Sequence, residues 1–269
     1  MVEILKGGQF LQIDSEGYVI NKANLKNLVE PWKALAIEII QLLLTNLKSD
    51  IHSIYLRGSV ANGSAIQGAS DIDFLIVIHV EEEKLDHSWE DDLIKIKTMH
   101  YFCGGIDIKY ANHQNLLASD DHQYAYTRML LKTQSFCIHG QSLDSLISRY
   151  KPGKSMVTLS PFIEKDISTS IKFLENTGDS SVEYITPICQ WIATQIIRVG
   201  FEMVIENERV YTRDLYLCFE AFARHFPAHK LSMERVLHLA LDPHPDREQT
   251  LALLYDFGSW IVIKVKNKV

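Results

Sequence analysis

Two carboxylates stand two residues apart at the head of an apolar run: Asp71 and Asp73 in "SDIDFLIVIHV". In an extended chain such residues project to one face, about 6.6 Å apart along the strand. Phe74 to Ile78 is unbroken and apolar, the pattern of a strand buried on both faces. Carboxylates at the mouth of such a strand repel one another and resist losing water, and a divalent cation removes both difficulties. Mg2+ takes carboxylate and phosphate oxygens together. Two such ions, about 3.5–4 Å apart, serve in-line displacement at phosphorus. Upstream, "IHSIYLRGS" ends another apolar run in Gly58-Ser59. Glycine lets backbone approach a phosphate, and Ser59 offers a hydroxyl and an N–H. Asp-x-Asp alone is commonplace in solvated turns, and Gly-Ser alone says less. Their order is more specific: eleven residues separate Ser59 from Asp71, with apolar strands on both sides. The stretch reads as a cradle for a metal-bound nucleoside triphosphate.

Positioning these groups requires strands around 51–58 and 71–80, and "GGIDIKYAN" reads as a third, entered through two glycines. Ahead of them, residues 9–20 suggest a hairpin turning at Glu16-Gly17. Leu28, Trp32, Leu35, Ile39 and Leu43 mark one face of a helix over 23–48. A charged stretch with spaced apolar positions suggests a surface helix over 86–101. Beyond about residue 115 helical periodicity takes over. Ile185, Cys189, Ile192, Ile196, Val199 and Met203 line one face of a long helix, and further helices are expected over 161–177, 212–225, 231–240 and 246–266. The expected class is α+β: a small mixed β-sheet domain with flanking helices over 1–150, then an all-helical domain over 151–269.

With "LRGSVANGSAIQGASDIDFLIV" in view, residues 51–112 resemble the DNA polymerase beta-like nucleotidyltransferase superfamily. Its signature is an apolar residue, Gly-Ser, nine to thirteen residues, then Asp-x-Asp with apolar neighbours. A third carboxylate lies on a later strand, and Asp107 in "GGIDIKYA" is its match. Further on, "TQIIRVGFEMVIENERVYTRDLYLCFEAFARHFP" resembles the helical domain of the streptomycin- and spectinomycin-type aminoglycoside adenylyltransferases. There an Arg on one helix and a basic residue opening the next reach the ATP phosphates, positions filled here by Arg198 and Arg213. One departure is Asn62, where minimal members of the superfamily carry an arginine.

The resemblance implies transfer of a nucleoside monophosphate, AMP from ATP, to a hydroxyl of a small, aminoglycoside-like molecule, with release of pyrophosphate. Asp71, Asp73 and Asp107 would hold two Mg2+ ions, with Asp107 lowering the barrier to deprotonating the acceptor. Gly58 and Ser59 would bind the phosphates. Arg198 and Arg213 would neutralise the leaving pyrophosphate, their alternative being ordinary helix-surface charge. Ser70 either touches phosphate or caps the strand entry, and Lys109 shares a face with Asp107 and could pair with it. Asp120, Asp121, Glu164 and Asp166 are candidate walls for a cationic acceptor. Two other readings stand beside this one: a protein- or RNA-modifying nucleotidyltransferase of toxin–antitoxin type, and a nucleotide-binding module without turnover.

Bulk properties narrow the field. Of 269 residues 46% are apolar, enough for a packed core, and the net charge of -7 argues against nucleic acid as partner. Cys103, Cys137, Cys189 and Cys218 form no CxxC pair, which fits thiols in a reducing cytosol. The opening "MVEILKGGQF" has no signal-peptide core, and the most apolar run, "ALAIEIIQLLL", is too short to span a bilayer. A cytoplasmic enzyme is expected. "PGKS" at 152–155 lacks the P-loop's first glycine, since position 148 is Ser148. His100, His113 and His122 show no spacing that selects a zinc ligand set.

Overall fold

The computed structural model describes residues 4, 6–118, 122–177, 182–242 and 244–267. It is a mixed α/β structure with a helical C-terminal region. Contacts divide the chain into two compact units, Tyr18–Tyr150 and a second made of Met1–Gly17 with Lys151–Val269.

The first unit is built on a four-stranded sheet: β1 (Ile51–Arg57), β2 (Ile72–Ile78), β3 (Ile106–Asn112) and β4 (Ser135–Gly140), in the order β3-β2-β1-β4. β1 runs antiparallel to β2 and β4, whereas β2 and β3 are parallel. A parallel pair needs a crossover, and the helix lying between β2 and β3 in the chain is Glu90–Met99. In chain order the helices here are α1 (Trp32–Leu47), α2 (Gly58–Asn62), α3 (Glu90–Met99), α4 (His113–Leu117) and α5 (Ala125–Gln134).

The period of two in β2 splits the core. Ile72, Phe74, Ile76 and Ile78 face α1 residues such as Leu35, Ile39 and Leu43. Leu75 and Val77 face the other way, joining Tyr55, Ala111, Leu116, Leu131 and Leu143. Two-sided burial is why this strand reads as an unbroken apolar run. Asp73 carries an odd number and falls on the second face, and Asp71 stands just ahead of the strand.

Some elements depart from expectation. α1 starts at Trp32, because Pro31 lacks an N–H and biases Glu30 away from helical backbone; Leu25–Asn27 forms a separate 3-10 turn. β4 was not expected, and α5 falls within the stretch beyond about residue 115 read as helical, where no individual helix was placed. The turn near residue 16 exists, with the Gly17 N–H donating to the Asp14 carbonyl at 3.0 Å; on either side of it Ile13 and Val19 are single bridge residues and neither arm is a full strand. Leu11 N–H bonds to Tyr211 O at 2.7 Å and Val19 N–H to Tyr150 O at 2.9 Å. Residues 9–11 thereby join the helical unit.

That second unit contains α6 (Ile163–Asn176), α7 (Val182–Glu202), α8 (Ile205–Glu208), α9 (Leu215–His225), α10 (Lys230–Leu241), α11 (Arg247–Leu253) and α12 (Ser259–Lys266). α7 is the central helix, packed on α6, α9 and α10, and all six residues of its expected apolar face are buried. The helix expected over 246–266 is interrupted by a π turn at Leu254–Gly258. No described helix is long and apolar enough to cross a membrane.

One cluster links fold stability to pH. His52, His79 and His113 gather on the sheet unit, His52 stacked on His113 with centroids 4.2 Å apart and 5.4 Å from His79. Burial, then the charges of His113 and His79, lower the His52 pKa below its ordinary 6.5. The unfolded chain therefore takes up this proton first. The stabilising contribution is complete above about pH 6.5 and is lost as pH falls below it. Melting curves should show the transition falling between about pH 7.5 and about pH 5.5, with His52→Gln lessening that fall. An unchanged slope in the variant would remove the assignment.

Candidate active site

The strand register assembles the site. Asp73 is the Cα partner of Asp107 across the parallel β2–β3 pair, and of Arg57 across the antiparallel β1–β2 pair. Residues directly opposite on neighbouring strands share a face with Cβ atoms about 4.5–5.5 Å apart. Asp107, Asp73 and Arg57 therefore form one row across three strands. The Arg57 guanidinium bridges the row: its Nη2 lies 2.9 Å from Asp73 Oδ1 and donates to Asp107 Oδ2. Arg57 is buried, with its side chain 6% exposed, against 22% for Asp73 and 40% for Asp107. Lys109 Nζ stands 3.8 Å from the same Asp107 oxygen, the pairing its strand position allows.

β1 passes straight into α2 through Gly58-Ser59. Gly58 has φ +74, and a Cβ there would overlap the Asp73 carboxylate. Only glycine accommodates both the left-handed backbone and that close approach. Ser59 follows in the first turn of α2, its carbonyl accepting from Ser64 N–H at 2.9 Å. Asn62 ends this short helix.

Asp71 lies just ahead of β2, against the turn that leads into β3. Cβ atoms built on Gly104 and Gly105 would come within 2.9 and 2.8 Å of its Oδ1. The two glycines before β3 thus leave room for a carboxylate. Ser70 Oγ accepts from the Ile66 N–H at 2.9 Å, closing the 66–70 loop.

Of the expected residues, the structure joins Asp73, Asp107, Gly58 and Lys109 directly, with Asp71 beside the Gly104-Gly105 turn. Among the described residues no three His, Cys, Asp or Glu side chains surround one metal-sized point. Asp73 and Asp107 converge on a guanidinium instead. The donor chemistry nonetheless suits Mg2+: three carboxylates, two of which, Asp71 and Asp73, have glycine where a Cβ would crowd them.

Arg198 and Arg213 belong to the helical unit, half-buried on α7 and just ahead of α9. Both act on the same thiol. Burial pushes Cys218 up to about 12, with Arg198 and Arg213 pulling the other way. Glu164 pairs with Lys266 at 2.7 Å. Asp166 is half-buried, its carboxyl pushed up by burial, and Asp120 and Asp121 lie outside the described residues. His100 is held by Glu38 at 2.7 Å, His113 is stacked on His52, and the His122 side chain lies outside the description.

Arg57 is the residue that sequence reading missed. Its signal was present: a charge at the end of an otherwise buried strand, immediately before the Gly-Ser turn.

Residues 37–119, which span this row and both of its turns, match the nucleotidyltransferase domain model. The chain carries a nucleotidyltransferase domain. Enzymatic nucleotidyl transfer is the activity that comes with this domain. No curated protein matches the sequence. Among solved structures, the chain is similar to the spectinomycin adenyltransferase AAD(9) from Enterococcus faecialis, solved with ATP and spectinomycin. The TM-score is 0.50 at 14% identity, covering 87% of this chain and 99% of that one. At that identity the likeness speaks for the fold: a nucleotidyltransferase domain followed by helices.

Proposed function

We propose that this enzyme transfers AMP from ATP to a hydroxyl of a small, aminoglycoside-like molecule and releases pyrophosphate. The observation that carries the reading is the pairing of Asp73 with Asp107 beside the Gly58-Ser59 turn. Asp71, Asp73 and Asp107 would hold Mg2+, which supplies charge neutralisation on the triphosphate when bound. The Gly58 and Ser59 backbone binds phosphate oxygens where no side chain intervenes. Asp107, the more exposed member of the Asp73–Asp107 pair, takes the acceptor hydroxyl's proton as general base. Arg198 and Arg213 take up the charge of the departing pyrophosphate. Ser70 acts through the 66–70 loop that it closes. The small-molecule acceptor is supported by the likeness to an adenyltransferase solved with ATP and spectinomycin, and by the acidic balance of the chain.

The test is pyrophosphate release from ATP and Mg2+, with and without spectinomycin, streptomycin and related aminoglycosides. Release that requires such an acceptor is the expected result. Labelling of protein or RNA without it would replace this reading with the macromolecule-modifying one. ATP binding without turnover on any acceptor would leave a nucleotide-binding module.

A further inference from the structure

Arg57 occupies a position with an electrostatic consequence for the row it bridges. A buried guanidinium is tolerated only where carboxylates compensate its lost hydration. Here two do so, Asp73 and Asp107. Their strand register puts all three side chains on one face, so the contact follows from the sheet itself rather than from a mobile loop. The backbone immediately after Arg57 closes over Asp73 at Gly58, which fixes the carboxylate against the guanidinium. Lys109 adds a second, more exposed cation near Asp107.

We infer that Arg57 is a positioning residue that serves as a built-in counter-cation: it holds Asp73 and Asp107 in register and weakens their hold on a free divalent cation. The inference rests on the proposed metal role of these carboxylates and deepens it. Two aspartates opposite one another on adjacent strands repel, and a fixed positive charge between them relieves that repulsion. The same charge opposes any cation approaching those oxygens, because like charges a few ångströms apart disfavour one another. Asp71, Asp73 and Asp107 carry three negative charges, and Arg57 offsets one of them permanently. A divalent ion alone therefore meets a partly neutralised site. With a triphosphate present, the phosphate oxygens contribute the missing negative charge, so the metal enters with its nucleotide. Arg57 thus biases metal binding toward the nucleotide-bound state.

The experiment measures Mn2+ binding to the full chain without nucleotide, by the loss of the free-ion paramagnetic resonance signal, together with melting curves in chelator. Arg57→Met removes the charge and keeps bulk; Arg57→Gln is also neutral but retains an N–H donor, and serves where the Met variant does not fold. Arg57→Lys keeps the charge, and Asp73→Asn identifies the site. The neutral variants are expected to bind Mn2+ about tenfold more tightly than wild type. In chelator they should melt lower, with Mn2+ restoring more of the loss than it adds to wild type. Arg57→Lys should keep the weak wild-type affinity. Unchanged or weaker Mn2+ binding in the neutral variants, with nucleotidyl transfer by wild type intact, overturns the inference alone. Mn2+ binding absent from wild type and neutral variants alike, or unaffected by Asp73→Asn, overturns it together with the metal role.

Discussion

Asp73→Asn is expected to lower nucleotidyl transfer by about a thousandfold or more, equivalent to about 4 kcal/mol of barrier, while the protein stays folded. Asn is nearly the same size and still offers an oxygen to Arg57, so the row can close. It cannot supply the negative charge that the metal and triphosphate need. Asp73 is also the one carboxylate of the three with both cross-strand neighbours in the row, Asp107 on one side and Arg57 on the other. Its loss therefore disturbs the charge balance of the entire row. Pyrophosphate release measures the activity, and a melting curve measures the fold. Asp71→Asn should show the same loss of activity, although Asp71 lies against the Gly104-Gly105 turn. Near-normal turnover in Asp73→Asn would remove these carboxylates from the chemistry. A collapse of the fold would mark Asp73 as chiefly the partner of Arg57.

The parts of this site that local chemistry dictates were readable in the chain. β2 announces itself because both of its faces are buried, and the two aspartates stand where its apolar run begins. Gly58-Ser59 was legible because a left-handed residue pressed against a carboxylate leaves no choice but glycine. The α7 face was legible because six apolar residues at helical spacing must be covered together. What escaped depends on partners remote in sequence. Arg57 meets Asp107 fifty residues later, and only strand order brings them together. β4 is short, and its pattern in "SFCIHG" gains meaning only when β1 lies beside it. Residues 9–11 resembled a hairpin arm, yet their hydrogen bonds run to 211–214: Gln9 N–H to Asp214 Oδ2 at 2.5 Å and Thr212 Oγ1 to Gln9 O at 2.8 Å. A local turn can be read from Glu16-Gly17; the destination of the strand that leaves it cannot.

The second large effect concerns the helical unit and a residue outside the carboxylate row. Glu202, at the end of α7, is buried, and its carboxylate accepts from three consecutive backbone N–H groups. Oε1 takes Thr158 N–H at 2.8 Å and Leu159 N–H at 2.9 Å, and Oε2 takes Ser160 N–H at 2.8 Å. The Ser160 hydroxyl adds a bond to Oε2 at 2.6 Å. Burial pushes the carboxyl pKa up, while these donors pull it down. The donors belong to the segment that enters α6, which has no side-chain cap of its own. Glu202 thus ties the loop at 158–160 to the central helix. Glu202→Ala would leave at least three donors without acceptors, two of them on buried residues, Thr158 and Ser160. Each unsatisfied buried group costs about 1–3 kcal/mol, so the total is expected to be about 3–6 kcal/mol. For a unit of this size that corresponds to a fall of roughly 10 °C or more in the melting temperature. Glu202→Gln keeps one accepting oxygen but turns an NH2 toward N–H groups, and should fall between the two. Calorimetry of the full chain decides the matter: an alanine variant melting within about 2 °C of wild type, the shift of no more than about 1 kcal/mol, would show that water or a rearranged loop satisfies these donors and that Glu202 is dispensable to the fold.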